Sequence, residues 1–185
     1  PALCLGTPDF SLFEMAGAYN TYANKGVHID PMAVTRIEDR YGNVVATFHP
    51  NKREAISEET AFLMLNLMQG VIDQGTGRRL RGKYALRSQI AGKTGTSQNH
   101  SDGWFMGIVP NLVTGMWVGG EDRDIHFQSM QLGQAANMAL PIFGMYIQKI
   151  YDDASLHIKS EDVFERPEMF NYILDCSDRH LNAEE

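Results

Sequence analysis

A short run near the middle of the chain places a cation, two hydroxyls and a glycine side by side: Lys93, Thr94, Gly95 and Thr96. If this run is a strand, its side chains alternate, with the lysine and glycine on one face and both threonines on the other. An ammonium and two hydroxyls suit a carboxylate, and a free backbone N–H on an edge strand suits a carbonyl oxygen that becomes negative. The run therefore indicates either one wall of an acyl-transfer site or a plain edge strand with surface lysine and threonine.

A phosphate-binding loop is another chemistry that a Gly-Lys-Thr run suggests. The Walker A pattern requires a glycine five residues before its Gly-Lys pair, and this chain has Arg87 there. Gly95 and Thr96 also stand where the helix of such a loop should begin. A nucleotide-binding function is therefore disfavoured.

The bulk composition excludes some classes of partner. A length of 185 residues fits one domain or a large piece of a bigger one, and the formal net charge is −7. The densest basic cluster, residues 78–83, is short and indicates a solvated loop or a small binding patch. We therefore expect no nucleic-acid partner, because such binding usually needs a clustered basic footprint.

The cysteines and histidines do not form a metal-type pattern. Cys4 and Cys176 stand near opposite ends of the chain, which indicates neither a disulfide framework nor a zinc site. The histidines are scattered without metal-helix spacing: His28, His49, His100, His126, His157 and His180. We therefore expect no metal site and no cofactor.

Helical periodicity predicts three helices. The first covers residues 10–24, with a capping box of Ser11 and Glu14 at its start and Gly26 as a stop signal. The second opens at Ser57, ends at residues 75–77 and is followed by a loop toward Gln89. The third covers residues 138–151. The second helix has a buried stripe of Phe62, Leu65, Met68 and Ile72.

Apolar runs with turn signals between them predict two antiparallel strand pairs. Residues 34–38 and 44–48 flank a turn at 39–43, and residues 104–109 and 112–118 are joined by Pro110-Asn111. Helices with antiparallel strands predict an α/β (α+β) fold. We divide the chain into residues 1–151, which carry this fold, and a polar tail of residues 152–185.

Several segments of the chain together resemble the C-terminal part of a penicillin-binding protein transpeptidase domain, and more closely the bifunctional class A type. Order and spacing agree from about residue 5 to about residue 150. The segments are residues 11–26, 34–39, 69–79, 91–97, 104–105 and 112–119. The resemblance implies a partial serine β-lactamase/penicillin-binding transpeptidase fold, an antiparallel sheet with flanking helices.

The resemblance also implies a reaction and a role for each residue of the central run. The family acylates an active-site serine with the D-Ala-D-Ala end of a peptidoglycan stem peptide, then transfers the acyl group to an amine, and β-lactams trap the acyl-enzyme. Carried over, Lys93 supplies positive charge as a catalytic residue. Thr94 and Thr96 bind the substrate carboxylate, Gly95 allows close approach, and the Thr96 N–H forms half of the oxyanion hole. Residues 75–77 either border the acyl-acceptor cleft or simply end a helix.

One departure from the family pattern limits these implications. No serine in the chain has lysine three residues later, so the Ser-x-x-Lys nucleophile motif is missing. Ser97-Gln98-Asn99 spells Ser-x-Asn, but it directly follows the Lys-Thr-Gly run, so we interpret this match as chance. We therefore expect both serine motifs to lie upstream of Pro1 and the chain alone to be inactive. A non-catalytic module that binds peptide or cell-wall material is the alternative.

The resemblance further implies partners and a location. The intact parent would bind peptidoglycan stem peptide and β-lactams, and it would be extracytoplasmic and anchored to the inner membrane. The missing upstream part of the domain would cover apolar sheet surface of this chain. Without that part, we expect self-association.

Overall fold

The computed structural model describes residues 8–172 and 174, so Cys4, Cys176 and His180 lie outside the described residues. It is a mixed helix and antiparallel-sheet fold, as predicted. The helices are α1 (Leu12–Ala23), α2 (Glu58–Asp73), α3 (Arg79–Gly82), α4 (Met130–Gly133) and α5 (Ala139–Asp152). The strands are β1 (Val27–Ile29), β2 (Arg36–Glu38), β3 (Val44–Thr47), β4 (Lys52–Glu54), β5 (Ala91–Thr96), β6 (Asp102–Val109) and β7 (Leu112–Gly119).

The central sheet has three antiparallel strands in the order β5-β6-β7. The predicted pair of strands around Pro110-Asn111 is confirmed, with Val109 opposite Leu112 and the register continuing to Asp102 opposite Gly119. Asn111 has a φ of 71°, a left-handed conformation that asparagine tolerates better than most residues, which allows the tight turn. The run at residues 91–96 is a strand, so the sequence prediction for its secondary structure is also confirmed.

Two hydrophobic clusters hold the helices against the sheet. On one side, Phe143 of α5 packs on Phe105 of β6 with ring centroids 4.8 Å apart, and both rings are fully buried. In the other cluster, Leu65 and Met68 of α2 pack with Ala91 of β5 and with Ile108. β5 is therefore anchored at its start by α2 and by the centre of the sheet.

The first two helices begin where the sequence predicts. The Ser11 hydroxyl accepts from the Glu14 N–H at 3.2 Å, and the Glu14 carboxylate accepts from the Ser11 N–H at 2.8 Å, which completes the capping box. Gly26 follows α1 with a φ of 85°. Ser57 caps α2 by accepting from the Thr60 N–H. The predicted stripe of α2 is correct except at Phe62, which is half-buried; Ala61 is buried in the same helix.

The smaller strands differ more from the sequence predictions. The predicted hairpin is present as β2 and β3, which form a separate two-stranded sheet. β1 and β4 form another two-stranded sheet that the sequence analysis did not predict. β4 is Lys-Arg-Glu with all three residues exposed, so it lacks the apolar alternation on which strand prediction depends.

Two further regions contain elements that the sequence analysis did not predict. The predicted loop from residue 75 toward Gln89 contains the short helix α3. Beyond α5 the chain forms a 3₁₀ turn at Ala154–Leu156 and packs back on the fold, where the Phe164 N–H donates to Gln89 Oε1 at 2.8 Å. Among the described helices, none combines the length and the apolar character that a bilayer span requires.

Candidate functional site

β5 lies at one edge of the sheet and pairs with β6 through its inner edge. The Ser97 N–H, just after the strand, donates to the Asp102 carbonyl at 3.2 Å. In an antiparallel pair the backbone groups of successive residues point alternately toward and away from the partner strand. The backbone N–H and C=O groups of Thr96 and Thr94 are therefore directed to the open edge.

Lys93 places its charge at this open edge. The residue is exposed, and its Nζ donates to the Thr94 carbonyl oxygen at 2.8 Å. That carbonyl is one of the groups directed away from β6. An ammonium and a backbone N–H, both donors, are thus presented along the same side of one strand.

The two threonine side chains lie on one face of β5. Thr94 is opposite Phe105 and Thr96 is opposite Gly103 in the register. The Thr96 hydroxyl accepts from the Ala135 N–H at 3.0 Å. The Thr94 hydroxyl is 2.7 Å from the Thr76 hydroxyl, in a hydrogen bond in which either group can donate. The predicted site residues are therefore brought together, and each threonine has a partner from another segment.

The packing around residue 95 does not require a glycine at this position. A Cβ added there would lie 3.4 Å from the Trp104 Cβ, which is ordinary van der Waals contact. The fold alone would therefore accept a small side chain at this position. A glycine leaves the half-buried surface on the Lys93 face of the strand, opposite the two threonine side chains, open to a ligand.

The segment before β5 is held by partly buried polar contacts that the sequence analysis missed. Arg81 donates from Nη1 to the carbonyls of Leu86 and Ser88 at 2.9 and 2.7 Å, and from Nε to Asp73 at 2.8 Å. The Tyr151 hydroxyl donates to Ser88 Oγ at 2.8 Å, and burial raises the pKa of this tyrosine. The prediction that residues 78–83 are a solvated loop or a binding patch is therefore wrong for Arg81, because its side chain is only 19% exposed.

A second basic residue reaches across to the segment that precedes α5. Arg79 Nη1 donates to the Ala136 carbonyl at 3.2 Å and also to the Asn137 side-chain oxygen. This contact joins the loop that carries Thr76 to the segment whose Ala135 N–H holds Thr96. Sequence reasoning had no signal for this contact, since its partners are 57 and 58 residues away along the chain.

The residues that follow β5 form a short turn. Residues Gln98–His100 form a 3₁₀ turn, with a positive φ at Asn99 and His100. The Asp102 carboxylate accepts from the Ser97 hydroxyl. His100 Nδ1 is buried and has no hydrogen-bond partner among the described residues.

Two open clefts lie away from the edge of β5. One, of about 470 Å³, lies between the end of α1 and residues 161–165. The other, of about 540 Å³, lies beside Arg79 and Met138. Neither of these clefts includes a residue of β5 in its lining. Because β5 is an edge strand, its donors lie on an exposed side of the sheet, an arrangement suited to holding an anion once an opposing surface excludes water.

Comparison with known proteins places this geometry in a family. The model of the penicillin binding protein transpeptidase domain matches residues 6–142. Penicillin-binding protein 1A of Neisseria meningitidis is 33% identical over 154 residues, which cover 80% of this chain and 18% of that protein. The chain therefore spans about a fifth of the length of this curated relative.

Solved structures show the same architecture. The crystal structure of penicillin-binding protein 1A from Haemophilus influenzae matches with a TM-score of 0.73 and 25% identity, over 86% of this chain and 28% of that one. An imipenem acyl-enzyme complex of penicillin-binding protein A from M. tuberculosis matches with a TM-score of 0.55 and 26% identity, over 72% of this chain and 29% of that one.

Proposed function

Because the chain belongs to the penicillin-binding protein transpeptidase family and is similar to its class A members, we propose that it forms the Lys-Thr-Gly wall of a peptidoglycan D,D-transpeptidase site. The observation that carries the proposal is the open edge of β5. There Lys93 Nζ, the Thr96 N–H and the hydroxyls of Thr94 and Thr96 are presented by one short strand.

Each group is assigned the role that the family resemblance implies, and its charge and hydrogen-bonding capacity suit that role. The Lys93 ammonium supplies positive charge beside the nucleophile and the substrate carboxylate. The Thr94 and Thr96 hydroxyls donate to that carboxylate, and Gly95 lets the substrate lie close to the strand. The Thr96 N–H forms half of the oxyanion hole. A donor of this kind acts by stabilising charge that develops only in the transition state.

The nucleophile is a serine outside these 185 residues, since no serine here has the Ser-x-x-Lys spacing. Its hydroxyl oxygen forms an ester with the penultimate D-alanine carbonyl of a stem peptide, and the terminal amide bond breaks to release D-alanine. The amine of a second stem peptide then attacks the ester, forms the cross-link and releases the serine. A β-lactam acylates the same serine by opening its own ring.

The rest of the parent protein supplies what this chain lacks. We propose that the upstream part of the same domain packs on the exposed apolar side chains around β7 and α5, which include Trp117, Ile142 and Met145.

The parent is extracytoplasmic and anchored to the inner membrane, and as a class A protein it also carries a glycosyltransferase domain. The isolated chain should self-associate through the uncovered surface; a clean monomer in light scattering would contradict this.

Acylation of the full-length protein by a labelled penicillin tests the proposal. We expect one covalent adduct, which peptide mapping places on a serine outside these 185 residues. Lys93→Ala should slow acylation by about 10²–10³-fold, the range typical for removal of one electrostatic contributor. Lys149→Ala, on the exposed side of α5, should leave the rate unchanged and is the matched control.

Two results would contradict the proposal. An adduct on a residue of this chain would show that the nucleophile is not upstream. A full-length protein that binds stem peptide reversibly but forms no adduct would instead support the alternative, a non-catalytic module that binds peptide or cell-wall material.

A further inference from the structure

The hydrogen bond between Thr76 and Thr94 joins two hydroxyls from different parts of the fold. Their oxygens are 2.7 Å apart, although the residues are 18 positions apart along the chain. Thr76 lies in the loop between α2 and α3, and Thr94 lies in β5. Thr76 itself is exposed, whereas Thr94 is half-buried.

The position of Thr76 is set by the backbone around it. The N–H groups of Gly75 and Gly77 both donate to the Val71 carbonyl, at 3.1 and 3.0 Å, so the loop folds tightly against the last turn of α2. A Cβ at Gly77, which is buried, would lie 2.6 Å from Ile72 Cδ1. Ile72 is fully buried in the main core cluster. The packed turn therefore fixes the Thr76 backbone next to β5 and restricts how far the Thr76 hydroxyl can move away from Thr94.

The chemistry of a hydroxyl gives this hydrogen bond a required direction. A hydroxyl has one proton to donate and two lone pairs, whereas a carboxylate can only accept. If Thr94 donates its proton to a substrate carboxylate, it has none left for Thr76. Thr76 must then donate to the Thr94 oxygen. The Thr96 oxygen already accepts a hydrogen bond in this way, because its partner is the Ala135 N–H, which can only donate.

We infer that Thr76 is a positioning residue that directs the Thr94 O–H toward the carboxylate of the acyl donor, and so favours acyl donors that carry a free carboxylate. The inference deepens the proposed function and rests on it. Thr76 acts through Thr94, and the contact between the two hydroxyls is the observation that carries it.

The test compares variants of the full-length protein in acylation by a labelled penicillin and by the same penicillin as its methyl ester. Thr76→Val should slow acylation by the free acid by about 2–10-fold, the range expected for one net hydrogen bond. With the ester the same variant should differ from wild type by less than about twofold. Thr76→Ser, which keeps the hydroxyl, should restore the rate with the free acid. Thr47→Val, an exposed substitution in β3, is the matched control.

A double-mutant cycle supplies a second readout. In a Thr94→Val background, Thr76→Val should slow acylation no further, since the group that it directs is already missing. Equal slowing with acid and ester, a Thr76→Val rate equal to wild type, or additive losses in the cycle would each overturn the inference.

Failure of the inference can be told apart from failure of the proposed function. If wild type is acylated and Thr94→Val is slow while Thr76→Val is normal, only the role of Thr76 is lost. If wild type is not acylated at all, or if Thr94→Val keeps the full rate, the proposed function and the role of Thr76 fail together.

Discussion

Two segments approach the same face of β5 and each holds one threonine, but they do so with different groups. The loop after α2 contacts Thr94 through a side chain, the hydroxyl of Thr76. The segment before α5 contacts Thr96 through its backbone, the N–H of Ala135. Ala135 is fully buried, whereas Thr76 is exposed to solvent.

The difference has two consequences. A backbone N–H has a fixed direction and is present in every residue except proline, so the orientation of Thr96 depends on the fold of that segment. A hydroxyl partner can reverse its direction and can be removed by one substitution, so the orientation of Thr94 depends on residue identity at Thr76. A buried N–H that loses its acceptor is also costly, whereas an exposed hydroxyl can turn to water.

The largest expected effect is that of Thr96→Val, which removes a carboxylate donor and leaves the buried Ala135 N–H without its acceptor. We expect acylation of the full-length protein to slow by about 10²–10³-fold, because the substitution removes a hydrogen bond to a charged group and, by leaving a buried donor unsatisfied, also disturbs the segment that holds position 96. Hydrogen exchange at residues 133–138 should also become faster. Thr96→Ser should keep both properties close to wild type; unchanged exchange in Thr96→Val would show that the Ala135 contact is not structural.

Thr94→Val should slow acylation by about 10–100-fold through loss of one hydrogen bond to the substrate carboxylate. Unlike Thr96→Val, it should leave hydrogen exchange in both neighbouring segments unchanged, since the exposed Thr76 hydroxyl can bind water instead. Faster exchange around Thr76 would remove the distinction between the two threonines.

A smaller effect is expected for Arg79→Ala, which breaks the contact between the two segments at the Ala136 carbonyl. Acylation should slow by about 2–5-fold, and exchange at residues 135–138 should rise, as expected for loss of a partly exposed hydrogen bond. Arg78→Ala, a change in the exposed residue next to it, is the control. Equal rates for the two variants would show that the contact does not support Thr96.

Ser11→Ala should have the smallest effect on the site, because the capping hydrogen bonds of Ser11 are made with Glu14 and involve neither the loop after α2 nor the segment before α5. Loss of the cap should cost about 1 kcal/mol locally and speed exchange in the first turn of α1, with acylation unchanged.

Hydrogen bonds from the Ser11 backbone and side chain hold the Glu14 pKa below its ordinary value. The contribution of Glu14 to the cap is therefore complete at neutral pH and is lost as the pH falls below 4.5 through the lowered pKa. Exchange that is insensitive to pH in this range would contradict the capping role.

Much of the fold could be predicted because local signals and tertiary packing agree. Ser11 with Glu14 marks the start of α1, and Pro110-Asn111 separates two strands that pair in the structure. The strands β1 and β4 could not be predicted, because each has only three residues and too little pattern: β1 is half-buried throughout, and β4 is entirely polar and exposed. The helix α3 was missed for a similar reason, since it is one short turn between glycines.

The candidate site also has a part that the sequence predicts and a part that it does not. The run from Lys93 to Thr96 was identified from residue types and alternation, since a strand of known period determines which side chains share a face. Arg81 was misjudged because its environment is made by the carbonyls of Leu86 and Ser88, which a count of nearby charges does not reveal.

The sequence by itself determined the family, the antiparallel fold class and the strand that carries the cation and the hydroxyls, because these follow from local spacing and from segments in matching order. Only the tertiary structure decided that the outer edge of β5 is open, and that Thr76 and Ala135 are the partners of the two threonines. The physical reason is distance along the chain. A hydrogen bond between residues 18 or 39 positions apart forms only after helices and strands have packed, so no local sequence pattern predicts it.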